Sequence, residues 1–399
     1  MLWDALLFQL GYNASLVTLG AALLGIVAGV AGTFLFLRKR ALVSDAISHA
    51  TLPGVGLAFI VMVALGGDGR ALLGLMLGAA VSAGVGLLCV QGLTRRTRLG
   101  EDAAIGAVLS VFFGFGVVIL TVVQSMNAGR QAGLEGFLLG STAGMLRSEA
   151  ALLAVSAALV LGLVLLLRRP LTLAAFDPGF AQATGWRPER VDLAMMGIVL
   201  LVTVVGLKVV GLILIVALLI VPPVTARFWT DQADLVVLMA GVLGGISGYV
   251  GAAISATAPD LPTGPIIVLV SFLLFSLSLL FAPGRGVVAS AWRHLRYQRR
   301  VHVRQGLLAL AQGQPIYEAL TRRLLRRRGL VLPDGVPTDA GRAAAAKALL
   351  DETRWALVRS DPGFAVAAAR YDGLTAIEKV LTPDQLAQVD RRIAGPQVV

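Results

Sequence analysis

Long apolar runs recur through the first 285 residues, each closed by a short polar or basic stretch. A run of about 18 or more such residues is long enough to cross a bilayer as a helix. The first run, 15–37, ends on Arg38, Lys39 and Arg40, and a second covers 42–65. GGDGR (66–70) then turns the chain into a third run, 71–93, which Arg95, Arg96 and Arg98 follow. Glu101 and Asp102 open a fourth run to residue 124, where acidic side chains suit a helix N-terminus. Residues 125–147 form a loop in which LEGFLLGSTAGM has the character of a short re-entrant or interfacial helix. The fifth run, 149–167, stops at Arg168 and Arg169. Runs at 191–207 and 209–228 follow, with Lys208 at the turn between them and Pro222 and Pro223 set to kink the second. The last two runs are 233–257 and 265–281.

This pattern predicts an all-α polytopic membrane protein of about nine transmembrane helices. Residues 1–13 are amphipathic and too short to span. Every strongly basic loop falls on one side, which the positive-inside rule places in the cytoplasm. The N-terminus is then outside and the C-terminus inside. After residue 285 charges become frequent and no further run appears. The expected division is a transmembrane domain over 1–285 and a small, mostly helical cytoplasmic domain over 286–399.

Composition sharpens this picture. The 399 residues are 57% hydrophobic and 14% charged, against about a quarter charged in soluble domains, which excludes a soluble enzyme. Forty-six glycines suit close helix packing in lipid. The single cysteine, Cys89, excludes an intrachain disulfide and any multi-cysteine metal site. The net charge of +11 sits mostly in the basic loops and the C-terminal region, so it is no nucleic-acid signal by itself. The start of the chain lacks the pattern of a cleaved signal peptide.

Two stretches carry candidate chemistry. In the second run Asp45 and His49 stand four apart before Pro53, so a helix presents them on one face. Ionisable groups inside a span are costly and mark function. Oxygen plus imidazole suits first-row divalent ions, and a second subunit about a dimer axis would complete an Asp/Asp/His/His set. The alternative is an internal Asp–His hydrogen bond that ties helices together. The second stretch is FDPGFAQATGW, 176–186. Asp177 is a candidate N-cap, Pro178 suits the first helical position and Gly185 the residue after the helix. A stiff two-turn helix there would either transmit force from a partner or serve as an ordinary interfacial loop. No G-x-x-x-x-G-K-[ST] phosphate loop occurs, so ATP-driven transport would need the nucleotide on another chain.

Over residues 10–285 the chain resembles the permease subunits of metal-ion ATP-binding-cassette importers, which take up manganese, zinc or iron. The pieces that carry the resemblance are RKRALVSDAISHATLPGVGLAF (38–59), EDAAIGAVLSVFFGFG (101–116), LEGFLLGS (134–141), FDPGFAQATGW (176–186) and VVGLILIVALLIVPPVTAR (209–227). The resemblance implies a bacterial inner-membrane permease paired with a second permease, the same or related. It also implies a cytoplasmic ATP-binding subunit and an extracytoplasmic metal-binding protein. The metal is cargo, no cofactor is tightly held, and ATP is hydrolysed on the partner rather than here. By the same resemblance Asp45 and His49 lie on the metal path. Phe176, Asp177, Pro178, Phe180 and Gly185 then belong to the helix that docks on the ATPase. Competing readings are a permease for a metal chelate of siderophore or cobalamin type, a gradient-driven secondary metal transporter, and a membrane-tethered transcription regulator.

The C-terminal region is similar to a degenerate iron-dependent repressor of the diphtheria-toxin-repressor type, through GQPIYEALTRRLLRRRGLVL, PTDAGRAAAAKALLDETRWALV and GLTAIEKVLTPDQLAQVD. GLVLPDGVPTDAG supplies the turn residues of a winged-helix-like hairpin. Too few residues separate Leu310 from Ile316 for the first helix and turn of a helix-turn-helix. The histidine ligands expected by that resemblance near Glu352 and Lys379 are missing. Nucleic-acid binding is therefore not expected.

Overall fold

A computed structural model describes residues 12–67, 69, 71–126, 145–258 and 261–394. The amphipathic start up to residue 11 and the loop sequence through residue 144, including LEGFLLGS, lie outside the described residues. The chain divides into two compact units between Val287 and Val288. All named elements among the described residues are helical.

The first unit holds α1 (Tyr12–Leu37), α2 (Leu42–Ala64), α3 (Leu72–Arg96), α4 (Glu101–Ser125), α5 (Arg147–Phe176), the short α6 (Pro178–Ala183), α7 (Pro188–Val210), α8 (Leu212–Arg227), α9 (Ala233–Ser255) and α10 (Thr263–Phe281). Eight of these are long and apolar enough to cross a membrane. The ninth expected span is shorter. Its 16 residues form α8, which reaches only about 24 Å at helical rise. The break with α7 falls at Gly211, whose φ of +83° suits a residue without Cβ. Lys208 accordingly lies in the last turn of α7 instead of a turn between helices, and its Nζ stands 3.4 Å from Glu149 Oε1 on α5. Helix α5 also runs past the expected stop at residue 167, through Pro170, to Phe176.

Helix α1 is the axis of this unit, and it packs on α9 more extensively than any other pair packs. Hydrocarbon gives no hydrophobic drive between helices, so contact depends on close approach. Glycines supply it. A Cβ on Gly25 would lie 2.0 Å from Gly244 O, on Gly29 2.2 Å from Ala240 O, and on Gly32 1.9 Å from Leu219 O. Helix α2 rests in turn on α3 and α4.

The second unit contains α11 (Val287–Ala311), α12 (Ala319–Arg327), α13 (Asp339–Ser360), α14 (Ala365–Ala368) and α15 (Pro383–Ile393). Its core gathers Trp355, Val358, Phe364, Ile377, Leu381 and Val389. Trp355 is fully buried, and its Nε1 donates to Thr375 O at 3.0 Å. The expected hairpin is reduced to one antiparallel bridge, Val331 with Pro337, closed at Gly335 (φ +91°). No paired strands of a wing exist among the described residues.

Ion pairs bind this unit together. Arg304 on α11 donates to Asp351 (2.9 Å) and Glu352 (2.8 Å) on α13, and Tyr371 Oη donates to Glu352 Oε1 at 2.9 Å. Burial alone would raise the Glu352 carboxyl, but hydrogen bonds from Arg304 and Tyr371 overcome it and hold the group below its ordinary value. The Gly363 backbone N–H and Arg392 lower Asp361, and the Leu374 and Thr375 N–H groups lower Asp372.

Two outcomes are expected. Gly25→Leu should drive α9 off α1 and yield little monodisperse protein in detergent, whereas a lipid-facing substitution such as Leu77→Ala should not. Depressed folded-state carboxyl pKa values give stability that is present at neutral pH and lost as pH falls through them. The second unit should therefore lose hydrogen-exchange protection as pH falls below the ordinary carboxylate range. Glu352→Gln should weaken that dependence.

Candidate functional site

The stretch that leads into α2 is shaped by its backbone. At the end of α1 the Arg40 N–H donates to Leu35 O and the Lys39 N–H to Phe36 O. That is the paired-bond C-terminal motif whose left-handed residue is usually glycine. Here it is Lys39, at φ +59°. A non-glycine residue in that region costs roughly 1–2 kcal/mol. The turn sets Arg38 and Arg40 on either side of Lys39.

Asp45 lies in the first turn of α2, and His49 follows one turn later. At helical rise His49 is about 10 Å into a helix of about 35 Å, nearer its middle than its basic end. His49 Nε2 stands 3.4 Å from Asp45 Oδ1. That is longer than the roughly 2.7–2.9 Å of a charge-assisted bond, so the pair is no tight internal tie. His49 Nδ1 is buried and has no hydrogen-bond partner. The ring meets Phe113 of α4 edge-on, with centroids 5.1 Å apart. Pro53 lacks the N–H that would bond the His49 carbonyl one turn back. The remaining polar groups nearby are spent on the helix itself. Ser44 Oγ donates to Ala41 O, Ser48 Oγ to Ser44 O and Thr51 Oγ1 to Ser48 O. His49 thus carries the unpartnered buried polar atom of this segment, beside an Asp45 carboxylate that is 38% exposed and not held in a short hydrogen bond to it. Among the described residues no group of three or more His, Cys, Asp or Glu assembles, so this chain brings two side-chain ligands together here. A groove of about 700 Å³ between α1, α5 and α9, lined mostly by apolar side chains, includes neither of them.

The second candidate stretch folds around α6, just under two turns long. Asp177 Oδ1 accepts the Phe180 N–H at 2.9 Å, and Pro178 occupies the first turn. The helix closes with Trp186 N donating to Ala181 O and Gly185 N to Gln182 O, and Gly185 takes φ +90°. Both ends are therefore fixed by local chemistry. Phe176, Phe180 and Trp186 are exposed by 58%, 54% and 44%. Exposed aromatics this close in sequence on a stiff element form an apolar surface of the kind that marks an interaction site.

A third feature escaped sequence reasoning, which treated Arg38 and Arg40 only as markers of membrane side. Arg38 Nη2 donates to Asp192 Oδ2 at 2.6 Å, and Arg38 Nη1 donates to Ala174 O at 2.6 Å. Arg40 Nη1 donates to the same Asp192 oxygen at 3.0 Å, and its Nε stands 2.8 Å from Glu101 Oε1. Asp192 on α7 is only 8% exposed. An acid in the first turns of an apolar helix, matched to arginines ending another, was the available signal, but only tertiary structure pairs them.

Residues 12–282 match the ABC 3 transport family. The chain is 39% identical over 310 residues to the manganese transport system membrane protein MntC of Bacillus subtilis, covering 77% of this chain and 70% of that protein. It is 39% identical over 286 residues to the zinc transport system membrane protein TroC of Treponema pallidum, covering 71% of this chain and 94% of that one. The solved structure of PsaBC from Streptococcus pneumoniae in complex with Fab matches with a TM-score of 0.60 and 28% identity, over 69% of this chain and 94% of its own. The family match begins where α1 begins and ends beside the last residue of α10, so the helical bundle as a whole is what it recognises: the chain belongs to the ABC 3 transport family.

Proposed function

We propose that this multi-pass permease carries manganese, zinc or iron ions inward across the bacterial cytoplasmic membrane, with ATP hydrolysed on a separate subunit. The observation that carries the reading is the Asp45–His49 pair, with neither imidazole nitrogen held by a short hydrogen bond. No short hydrogen bond ties Nε2 to the Asp45 carboxylate, so a cation can enter between them without displacing one. Metal–ligand bonds of about 2.1 Å separate two ligands on one ion by roughly 3.0 Å (octahedral) to 3.4 Å (tetrahedral). The observed 3.4 Å fits that range without rearrangement. The two curated relatives at 39% identity are named for manganese and zinc transport, which agrees with a carboxylate–imidazole set.

In this reading a second permease supplies two further ligands, and an extracytoplasmic protein delivers the ion. The basic ends of the helices face the cytoplasm, with the N-terminus outside and the C-terminus inside. Phe176 and Phe180 dock in the ATPase, and Asp177, Pro178 and Gly185 hold α6 rigid. The transmembrane permease domain then comprises residues 1–285. Residues 286–399 form an accessory cytoplasmic domain, not a DNA reader. Transport is alternating access: the ion enters from outside, passes Asp45 and His49, and leaves inside when ATP turnover reorients the helices.

Asp45→Ala and His49→Ala should each reduce uptake of radiolabelled manganese, zinc and iron to background while membrane insertion stays normal. Wild-type uptake by both variants would refute the metal path. Phe180→Asp should prevent co-purification of the ATPase, since a charge would be buried in an apolar groove. Retention of the complex at wild-type yield would refute the docking role.

A further inference from the structure

We propose that Arg38, Arg40, Asp192 and Glu101 form the relay that couples the 176–186 segment to α2, and are positioning residues for transport. This rests on the reading of 176–186 as the ATPase-docking element.

Arg38 holds both flanks of that segment. Its Nη1 reaches Ala174 O, two residues before Phe176, and its Nη2 reaches Asp192, six residues beyond Trp186. The carbonyl of Ala174 needs this donor. In a continuing helix it would accept from residue 178, but Pro178 has no N–H. One planar guanidinium thus replaces the missing backbone donor and pairs the carboxylate at the same time, a two-pronged geometry that lysine lacks.

Arg40 carries the link onward. It shares the Asp192 oxygen with Arg38 and joins Glu101, the first residue of α4. It stands two residues before α2 begins and five before Asp45. The turn that joins the two arginines has little slack, since three backbone bonds fix residues 38–40 and Lys39 is held left-handed. The Arg38 and Asp192 side chains are only 15% and 11% exposed. Charges so placed do not part from their partners cheaply. A displacement of 176–186 therefore carries Asp192 and Ala174, then the arginine turn, then the start of α2 with Asp45 and His49. Arg38 Nε is buried without a partner, a spare donor for a second arrangement of the cluster.

The test uses the full-length permease assembled with its ATPase and binding protein in proteoliposomes. It reads manganese carried per ATP hydrolysed, together with the melting temperature of the complex. Arg38→Lys keeps the cation but cannot hold both Ala174 O and Asp192; Asp192→Asn keeps the shape but loses the charge. Arg38→Lys should assemble, melt near the wild-type temperature and hydrolyse ATP, with manganese per ATP reduced about tenfold or more, the scale of an ordinary coupling free energy; Asp192→Asn should reduce the ratio likewise while lowering the melting temperature, since it leaves Arg38 and Arg40 without their shared carboxylate charge. Arg38→Lys is the milder change and serves if Asp192→Asn fails to fold. A wild-type ratio in Arg38→Lys overturns the relay. So does a reduced ratio that appears only with lost assembly or a lowered melting temperature, which marks a merely structural ion pair. Phe180→Asp separates the two readings. If it abolishes ATPase binding while Arg38→Lys keeps the wild-type ratio, docking stands and the relay fails; if it leaves binding intact, the docking reading itself fails.

Discussion

The close approach of α1 to its neighbours is the constraint on which the first unit depends. In lipid the energy of helix association comes from dispersion contacts, each about 0.1–0.2 kcal/mol and steeply dependent on distance. Gly25, Gly29 and Gly32 put the α1 backbone against carbonyls of α9 and α8 at separations no side chain permits. Where α1 lies decides where it ends. Its last residue is Leu37, and the turn that follows delivers Arg38 and Arg40 to Asp192 on α7 and Glu101 on α4. The packing of small residues inside the bundle and the charge pairing at its basic end are thus consequences of one another.

Polar groups in this unit fall into two kinds. Most are paired or bonded back to their own helix: Glu149 faces Lys208, Asp192 holds two arginines, and Ser44, Ser48 and Thr51 donate to carbonyls of the preceding turn. Asp45 and His49 differ. Their mutual distance is long for a hydrogen bond, and one imidazole nitrogen is buried without a partner. An unspent pair amid spent neighbours is a sharper indication of a cargo path than the pair alone, because the same helix shows how readily its other polar groups are satisfied. Pro53 adds to this by removing the usual donor to the His49 carbonyl.

What the sequence discloses follows the range of the interaction. Helix existence, the one-face placement of Asp45 and His49, and the caps of α6 are local, so hydropathy runs, four-residue spacing and the Asp177, Pro178 and Gly185 residue types suffice to read them. The split between α7 and α8 is legible, but the sequence sets it at Lys208, three residues early, because a left-handed glycine leaves hydropathy unchanged while a lysine marks an apparent boundary. The overrun of α5 through Arg168, Arg169 and Pro170 is hidden for a related reason: charges mark where a bilayer ends, not where a helix does. The Arg38–Asp192 pairing spans 154 positions, and nothing local ties the partners. The missing hydrogen bond of His49 is likewise a tertiary fact.

The second unit is held together by charge pairs between its helices. The Glu352 carboxylate accepts from Arg304 and Tyr371. Asp351 beside it accepts from Arg304 and from the Ile377 backbone N–H, two residues before Lys379. Arg354 grips Asp390 with two parallel bonds of 2.6 and 2.7 Å, tying α13 to α15. Metal ligation would join these helices only when an ion is present, since ligand sites are completed by the metal itself. Guanidinium–carboxylate forks join them without an ion, because the arginine donors are always charged. The helices of this unit are therefore joined by contacts that need no ion.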